Sequence, residues 1–497
     1  MQELLIGIEA VFNFQGLLAI VVGVAFGIVV GALPGLGPSL GVALLIPVTF
    51  SLPPSVSFNL LVSLYLAAEY GGSISAILIG TPGTAAATAT VIDGYPLNQK
   101  GKGALALHTS LAASTFGGVV GGIALIVFSQ PLVAFALRFG PPEYFALGIF
   151  GLTLIASLSG DTIIKGLATA LIGLLLVGVG VDPISGVARF TFGRYELFEG
   201  IPFLVVLIGV FAVAEAFSMI EQRSEPASLA ELKGTGRLSG GELRRLLPTA
   251  LRGSIVGTIV GAIPGAGANI AGWFAYDQER RWSKNPEEFG KGALAGVAAP
   301  ESANSASVGG ALMPLLTLGL PGSPTTAVLI GALVIHGLQP GPRLFSENPD
   351  VIYGLFVGLV VAFPVVYLLG VAAMPIWRRI LLLPTAILAP SILLLSLIGS
   401  YSVRNLMFDV WLVLGFGVFG YVLKKLRFPM APLVLAMVLG MMVESNYARS
   451  LIMSQGSHMI FLIRPLSCAL LAFAALALLW PLAASRIRQS GISRKEV

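Results

Sequence analysis

The chain has 497 residues, of which 56% are hydrophobic and only 11% charged, with a formal net charge of +5. No soluble domain of this length has such a composition, so the chain is expected to be a membrane protein. The small excess of Lys and Arg lies in short loops and at the C-terminus, which does not indicate nucleic-acid binding. The single cysteine, Cys468, excludes a disulfide framework or a cysteine metal site.

Several apolar runs are long enough, at 1.5 Å per helical residue, to cross a hydrocarbon core of roughly 30 Å. They are Leu17–Leu33, Ile201–Ile220, Val351–Ala373 and Leu466–Ala483. The sequence therefore predicts an all-α polytopic protein with about ten to twelve membrane-embedded segments in the lipid bilayer.

The charges at the two ends of the chain predict its orientation. Glu3 and Glu9 precede the first apolar run without any Lys or Arg, so we expect neither a cleaved signal peptide nor a cytoplasmic N-terminus. The basic cluster Arg486–Lys495 places the C-terminus in the cytoplasm. The N-terminus is accordingly predicted to be periplasmic.

Two apolar segments contain near copies of one motif. Gly31–Pro38 reads G-A-L-P-G-L-G-P and Gly261–Ala268 reads G-A-I-P-G-A-G-A. Proline removes a backbone donor and glycine permits turns that other residues resist, so each motif should break its helix. Non-helical backbone at membrane depth survives only where protein or a watery cavity satisfies it, and in duplicated carriers that cavity is usually the substrate site.

A second pair of Pro-Gly breaks follows in each half, at Thr81–Thr84 and at Leu320–Ser323. The positive-inside rule places Lys100 and Lys102, Arg223–Arg252 and Arg486–Lys495 in the cytoplasm and leaves Arg343 outside. The first broken-helix unit then begins outside and ends inside and the second does the reverse, which is typical of inverted-topology repeats. Four breaks could place several helix N-termini around one cavity, an arrangement that suits an anion. The predicted domains are residues 1–220 and 248–446 for the two repeats, 221–247 for a cytoplasmic linker, and 447–497 for an extra transmembrane helix with a basic tail.

The candidate substrate residues are the Pro and Gly of the breaks and the small polar residues beside them. They are Pro34, Gly35, Gly37, Ser39, Ser73, Thr81, Gly83, Thr84, Pro264, Gly265, Gly267, Asn269, Ser302, Asn304, Ser305, Pro321, Gly322 and Ser323. These residues offer neutral hydrogen bonds without bringing a charge into lipid. The alternative for any one of them is that a small side chain merely lets helices pack closely.

Three acidic residues near the breaks, Glu69, Asp93 and Glu301, are candidates for ion coupling. A carboxylate at membrane depth must be paired, protonated or serving a cation. Asp93 precedes Gly-Tyr-Pro and a basic pair, so a turn or helix-end role suits it equally well. Backbone carbonyls at the breaks could also hold Na⁺, and the sequence does not choose between Na⁺ and H⁺. The three histidines are too scattered for a metal site, and no resident cofactor or metal is expected beyond a transported Na⁺.

The chain resembles the large membrane subunit of the tripartite tricarboxylate transporters, the TctA family. The resemblance is carried by G-A-L-P-G-L-G at Gly31, Y-G-G-S at Tyr70, P-G-T at Pro82, D-G-Y-P at Asp93, G-A-I-P-G-A-G at Gly261 and P-E-S-A-N-S-A at Pro300. It implies a secondary carrier of the bacterial inner membrane that imports citrate-like di- or tricarboxylates and is driven by an ion gradient. It also implies two partners, a small four-helix membrane subunit (TctB-like) and a periplasmic solute-binding protein (TctC-like).

The sequence also bears on two other classes of protein. An enzyme is not expected, because the chain has no G-x-S-x-G, no H-E-x-x-H and no Walker lysine motif. A passive anion channel is an alternative, since pores also use helix ends and small residues. A carrier of a different carboxylate or small anion is another. Whether the repeats would move by rocking or as an elevator does not follow from the sequence.

Overall fold

The computed structural model describes residues 2–157, 163–182, 185–221, 236, 238–265 and 267–477. These residues are almost entirely helical, and their only sheet is the short antiparallel pair β1 (Gly180–Val181) and β2 (Ala188–Arg189). Eight of the described helices are long and apolar enough to cross a membrane, and four shorter apolar helices accompany them. The predicted all-α polytopic fold is therefore confirmed.

In the first half of the chain the described residues form ten α-helices, with a π-helical turn (Ile208–Val213) between the last two. They are α1 (Gln2–Val11), α2 (Phe14–Ala32), α3 (Gly37–Thr49), α4 (Pro54–Ile79), α5 (Thr88–Gln99), α6 (Gly103–Ala136), α7 (Pro141–Ser157), α8 (Ile163–Val177), α9 (Phe203–Leu207) and α10 (Ala214–Glu221).

The second half forms twelve helices within the described residues. They are α11 (Gly240–Gly261), α12 (Gly267–Trp282), α13 (Leu294–Leu318), α14 (Pro324–Ile335), α15 (Arg343–Glu347), α16 (Pro349–Ala372), α17 (Trp377–Leu381), α18 (Thr385–Arg404), α19 (Met407–Lys425), α20 (Ala431–Met453), α21 (Ile460–Ile463) and α22 (Pro465–Ala477). The apolar run predicted over Leu466–Ala483 is described only as far as Ala477.

The four Pro-Gly motifs interrupt helices where the sequence predicts. They separate α2 from α3, α4 from α5, α11 from α12, and α13 from α14. The glycines at equivalent places adopt nearly the same left-handed backbone: φ is +92° at Gly35 and +82° at Gly265, +58° at Gly37 and +57° at Gly267, and +70° at Gly80 and +72° at Gly319. The chain therefore contains two copies of one backbone motif, each broken twice.

Each copy is held together by a ridge of glycines one turn apart, which lets a helix lie directly on the carbonyl groups of its neighbour. In α2 the ridge faces α4, and in α11 it faces α13. The ridge residues and the carbonyls they meet are Gly23 with Leu60, Gly27 with Leu64, Gly31 with Ala68, Gly253 with Ala299, Gly257 with Ala303, and Gly261 with Ser307. Helix pairs in lipid associate through such small residues, because backbone contact replaces the missing hydrophobic driving force.

The helices α4 and α13 lie at the centre of the two copies, and nearly all their residues are buried. Helix α13 is not among the eight long apolar spans because Ser, Asn and Gly lower its hydropathy. Its 25 residues still extend about 37 Å, which is enough to cross the hydrocarbon core. A central helix can carry these polar groups because protein, and not lipid, surrounds it.

The linker predicted for residues 221–247 is shorter at its C-terminal end, because α11 begins at Gly240. Ser239 caps the helix: its hydroxyl accepts from the Glu242 N–H, while the Glu242 carboxylate accepts from the Ser239 N–H. This capping box fixes the helix start seven residues before Leu247. Most of the preceding linker lies outside the described residues.

By contacts the chain divides into two compact units. The first contains residues 1–133 and 207–421, and so includes both broken-helix copies. The second contains the described residues of 134–206 and 422–477. In the second unit α20 packs against α7 and α8, and Arg189 is paired with Glu444.

Candidate substrate site at the helix breaks

The break between α13 and α14 is the most completely buried of the four. Ser323 precedes α14, and its hydroxyl accepts from the Thr326 N–H at 3.2 Å, while the Thr326 hydroxyl accepts from the Ser323 N–H at 2.7 Å. Pro324 occupies the first helical position, where a missing N–H costs nothing. The chain thus forms a regular helix N-terminus in the protein interior, where its partial positive charge is not screened by water.

Residues of the first copy converge on this break of the second copy. The Tyr65 hydroxyl of α4 lies 3.1 Å from the Ser323 hydroxyl, and the Ser39 hydroxyl of α3 lies 2.9 Å from that of Thr325. The α11–α12 break also reaches it, because the Gly265 N–H donates to the Gly322 carbonyl at 3.1 Å. Two other breaks, α2–α3 and α11–α12, therefore meet the α13–α14 break at one place in the fold.

The α4–α5 break folds back on its own helix. The Gly83 N–H donates to the Gly72 carbonyl at 3.1 Å. A side chain at Gly72 would collide with Thr84, whose backbone N and hydroxyl lie directly over that position. Thr84 therefore lies along α4 one turn beyond Glu69, and it is only 5% exposed.

Buried oxygens without partners lie around these breaks. Glu69 Oε2, Thr84 Oγ1, Asn304 Oδ1, Ser305 Oγ and the Tyr70 hydroxyl are buried and have no hydrogen-bond partner in the described part of the protein. The first three share one region, because Asn304 Nδ2 donates to the Glu69 carbonyl at 3.1 Å. An unsatisfied buried polar group costs about 1–3 kcal/mol, so these groups are suited to a bound ligand or ion.

The chemistry of this region is polar but not basic. Within the described ranges, neither Glu69 nor Glu301 forms an ion pair with a basic side chain. A ligand would be held by hydroxyls, amides and the N–H groups of helix ends, as anions often are at helix N-termini. Its charge would need compensation from something other than Lys or Arg.

Not every predicted site residue lies at the breaks. The Ser302 hydroxyl donates to the Ala299 carbonyl of its own helix at 3.0 Å, and it faces the Gly253 ridge position. These contacts match the alternative of close helix packing for Ser302, whose part in substrate binding stays a prediction. Thr81 and Asn269 are exposed.

The remaining predicted residues divide by burial. Four of them are half-buried at their breaks: Pro34, Gly37, Pro264 and Gly265. Gly35 is exposed. Five are buried: Ser73, Gly83, Gly267, Pro321 and Gly322. A Cβ on Gly35 would lie 2.6 Å from the Glu215 carboxylate of α10. This carboxylate is therefore a neighbour of the first break that the sequence did not indicate.

Asp93 is bound on both carboxylate oxygens. Oδ1 accepts from the N–H groups of Gly290, Gly292 and Ala293 at 2.7–2.9 Å, and Oδ2 accepts from the Tyr276 hydroxyl at 2.9 Å. The side chain is 0% exposed. These bonds attach α5 of the first copy to the connection between α12 and α13 of the second, so the geometry favours the structural role over ion coupling.

Glu301 lies in a cluster of hydroxyls that the sequence analysis did not identify. Thr90 of α5 donates to Oε1 at 2.5 Å, and Ser114 and Ser110 of α6 bond Oε2 at 3.0 and 3.3 Å. Glu301 is 0% exposed. Ser110 and Ser114 stand one turn apart on α6, and this spacing is the signal that could have marked them as one face of the helix.

His336 also has a structural environment. Its Nε2 lies 3.1 Å from the Thr49 hydroxyl at the end of α3, and its ring meets Phe58 edge-on at 6.0 Å. Among the described residues, no group of three or more His, Cys, Asp or Glu could hold a metal ion.

Taken as a class, this is a multi-pass helical membrane protein in which two copies of a twice-broken helical motif meet around buried polar groups. The family model of the tripartite tricarboxylate transporter TctA family matches residues 17–435. The chain therefore belongs to the TctA family, a family of transporters that work as one component of a tripartite system.

Two proteins of Agrobacterium vitis are similar along the chain. One, described as an uncharacterized 52.8 kDa protein in the TAR-I ttuC' 3'region, is 38% identical over 431 residues, which is 87% of this chain and 86% of the relative. The other, described as an uncharacterized protein in the TAR-II ttuC' 3'region, is 36% identical over 215 residues, which is 43% of this chain and 89% of the relative. No solved structure matches the chain.

Proposed function

We propose that this chain is the large membrane subunit of a binding-protein-dependent secondary transporter that imports organic di- or tricarboxylates, such as citrate, on a Na⁺ or H⁺ gradient. The observation that carries the proposal is the convergence of breaks from both copies on Ser323, beside buried oxygens that lack partners. Membership of the TctA family supports the transport class and the kind of partners.

In the proposed mechanism, the substrate carboxylates are held by N–H groups and hydroxyls at the breaks, from Ser39, Thr84 and Ser323. Because no Lys or Arg among the described residues pairs with Glu69 or Glu301, cotransported cations offset the substrate's negative charge. Such charge compensation would make substrate binding and ion binding depend on each other, which is the requirement for symport.

We further propose that the two copies are inverted-topology repeats in the bacterial inner membrane, with the N-terminus periplasmic and the C-terminus cytoplasmic. The distribution of Lys and Arg supports this orientation. The substrate would arrive from a periplasmic TctC-like binding protein, and a small TctB-like membrane subunit would complete the transporter.

The direct test is uptake of labelled citrate and C4-dicarboxylates into proteoliposomes that hold this chain with its small subunit and binding protein. Saturable uptake that depends on the binding protein and on an imposed Na⁺ or H⁺ gradient is the expected result. Uptake that is non-saturable and indifferent to both would instead indicate a passive anion channel.

A matched pair of variants tests the position of the site. Gly35→Leu and Gly265→Leu place a side chain on left-handed backbone at two breaks, and both should abolish uptake while membrane insertion persists. Gly101→Leu is the control, because Gly101 has a similar φ of +73° but lies in the α5–α6 connection with open space around it. Full uptake in either break variant, with the control also active, would contradict a substrate site at the breaks.

A further inference from the structure

The hydrogen-bond cluster around Glu301 continues beyond the carboxylate. The Ser110 hydroxyl, which bonds Glu301 Oε2, also lies 2.6 Å from the Ser73 hydroxyl of α4. The Ser73 hydroxyl in turn donates to the Tyr70 carbonyl of its own helix at 2.8 Å. Ser73, Ser110 and Glu301 are all 0% exposed, so bulk water does not take part in these bonds.

Counting protons in this cluster gives an imbalance of one. There are five bonds, of which three reach the carboxylate, one joins Ser110 to Ser73, and one reaches the Tyr70 carbonyl. A hydroxyl supplies one proton and a carbonyl supplies none, so the four hydroxyls supply four protons. An ionised Glu301 leaves one pair of oxygens facing each other without a proton between them, whereas a protonated Glu301 completes all five bonds.

From this count we infer that Glu301 binds and carries the proton that couples transport to a H⁺ gradient, an assignment that rests on the proposed carrier function. The protonated carboxyl donates from Oε2 to Ser110, Ser110 donates to Ser73, and Ser73 donates to the Tyr70 carbonyl. Thr90 and Ser114 donate to the carboxyl oxygens. On release, the proton leaves the carboxyl and one bond of the chain is lost.

The surroundings of Glu301 suit a proton better than a metal cation. Its polar neighbours are hydrogen-bonded to the carboxyl group, so a cation would have to displace those bonds to use the same oxygens. The titratable groups that face it on α4 are Glu69 and Tyr70, both close enough to interact electrostatically. The helices around it carry further charged or titratable groups. Tyr276 of α12 donates to Asp93 of α5, and Arg252 of α11 is paired with Glu279 of α12. The others are Tyr65 on α4, Tyr95 on α5, His108 on α6, Glu242, Arg244 and Arg245 on α11, and Asp277, Arg280 and Arg281 on α12.

The first test is an infrared measurement that does not depend on transport. The protein in lipid vesicles at neutral pH should show the C=O stretch of a protonated carboxyl, and Glu301→Gln should remove that component. Glu288→Gln, an exposed glutamate in the α12–α13 connection, is the control and should leave the spectrum unchanged. Loss of the component in Glu69→Gln but not in Glu301→Gln would overturn the assignment.

A second variant tests the proton count itself, and it keeps the proposal testable if Glu301→Gln does not fold. In the wild type with Glu301 protonated, the Ser110 hydroxyl donates to Ser73. Ser73→Ala removes that acceptor, so the Ser110 hydroxyl is free to donate to Glu301 instead, which stabilises the ionised carboxylate. The protonated component should therefore be weaker than in the wild type at the same pH. An unchanged component in Ser73→Ala, or its loss on adding Na⁺ to the wild type, would overturn the proposal.

Transport measurements separate this inference from the proposed function. With equal Na⁺ on both sides, an imposed H⁺ gradient should drive carboxylate accumulation by the wild type, while Glu301→Gln should exchange substrate but accumulate none. A Glu301-dependent infrared component without uptake of any carboxylate would refute the substrate and leave the proton site. Uptake driven by Na⁺ alone, without that component, would refute the proton site and leave the carrier.

Discussion

Asp93 provides the sharpest test of how the two copies are joined. Asp93→Ala removes the acceptor of three backbone N–H groups, in Gly290, Gly292 and Ala293, and of the Tyr276 hydroxyl. Each buried donor left without a partner costs about 1–3 kcal/mol, and water can rescue some of them, so we expect a total loss of about 3–6 kcal/mol. Asp93→Asn keeps a carbonyl oxygen for the N–H groups, and it should lose only about 1–2 kcal/mol of charge assistance.

The assay is thermal unfolding in detergent, together with hydrogen exchange of the α12–α13 connection. Asp277→Ala is the matched control, because Asp277 is an exposed partner of Arg281 on α12 and such a pair contributes at most about 1 kcal/mol. Equal stability of Asp93→Ala and Asp277→Ala would refute the structural role. An Asp93→Asn protein that is fully stable but has lost gradient-driven uptake would show that coupling, and not attachment, is the function of this carboxylate.

Three further changes test the packing and the site. Gly257→Leu inserts a side chain where α11 rests on α13, and it should lower the yield of folded protein, whereas Gly241→Leu, with open space around it, should not. Tyr65→Phe removes one buried hydrogen bond to the α14 cap and should cost about 1 kcal/mol of stability, with a larger fall in uptake than in folded protein. Arg404→Ala leaves the fully buried Asp409 carboxylate without its ion partner and should lower the free energy of unfolding by about 3–5 kcal/mol. The double variant Arg404→Ala with Asp409→Ala removes the unpaired charge and should recover part of this loss. Equal thermal midpoints in the single and double variants would contradict the expectation.

The broken helices could be predicted from sequence because their cause is local. Proline lacks the N–H that a helix needs and glycine tolerates positive φ, so the motifs at Pro34 and Pro264 determine the breaks before any tertiary contact forms. The start of α11 was predictable on the same grounds, since Ser239 followed three residues later by Glu242 is a capping-box pattern. The segment 240–247 resembles a linker in sequence because the first turns of α11 contain Gly240, Gly241 and charged residues.

The roles of individual polar residues could not be predicted, because they depend on partners far away in the chain. Asp93 and Glu301 are both acidic residues beside a break, yet one meets backbone N–H groups and the other meets hydroxyls. Similarly, Ser302 and Ser305 belong to one motif, but Ser302 faces a glycine ridge and Ser305 has a buried hydroxyl without a partner. These roles depend on which neighbouring helix each face of α13 contacts. Helical periodicity identifies residues that share a face, but it does not identify the helix that the face contacts.

The duplication of the backbone is not matched by a duplication of acidic groups. Counting from the equivalent glycines Gly80 and Gly319, Val62 stands where the second copy has Glu301, and Val308 stands where the first copy has Glu69. Two identical halves that exchange roles would give inward-open and outward-open forms of equal energy. Because each acid occurs in one half only, the two forms of the proposed inverted repeats would differ in energy whenever a proton or substrate is bound. The proposed carrier would therefore have a preferred resting orientation, to which Val62 and Val308 contribute as much as Glu69 and Glu301 do.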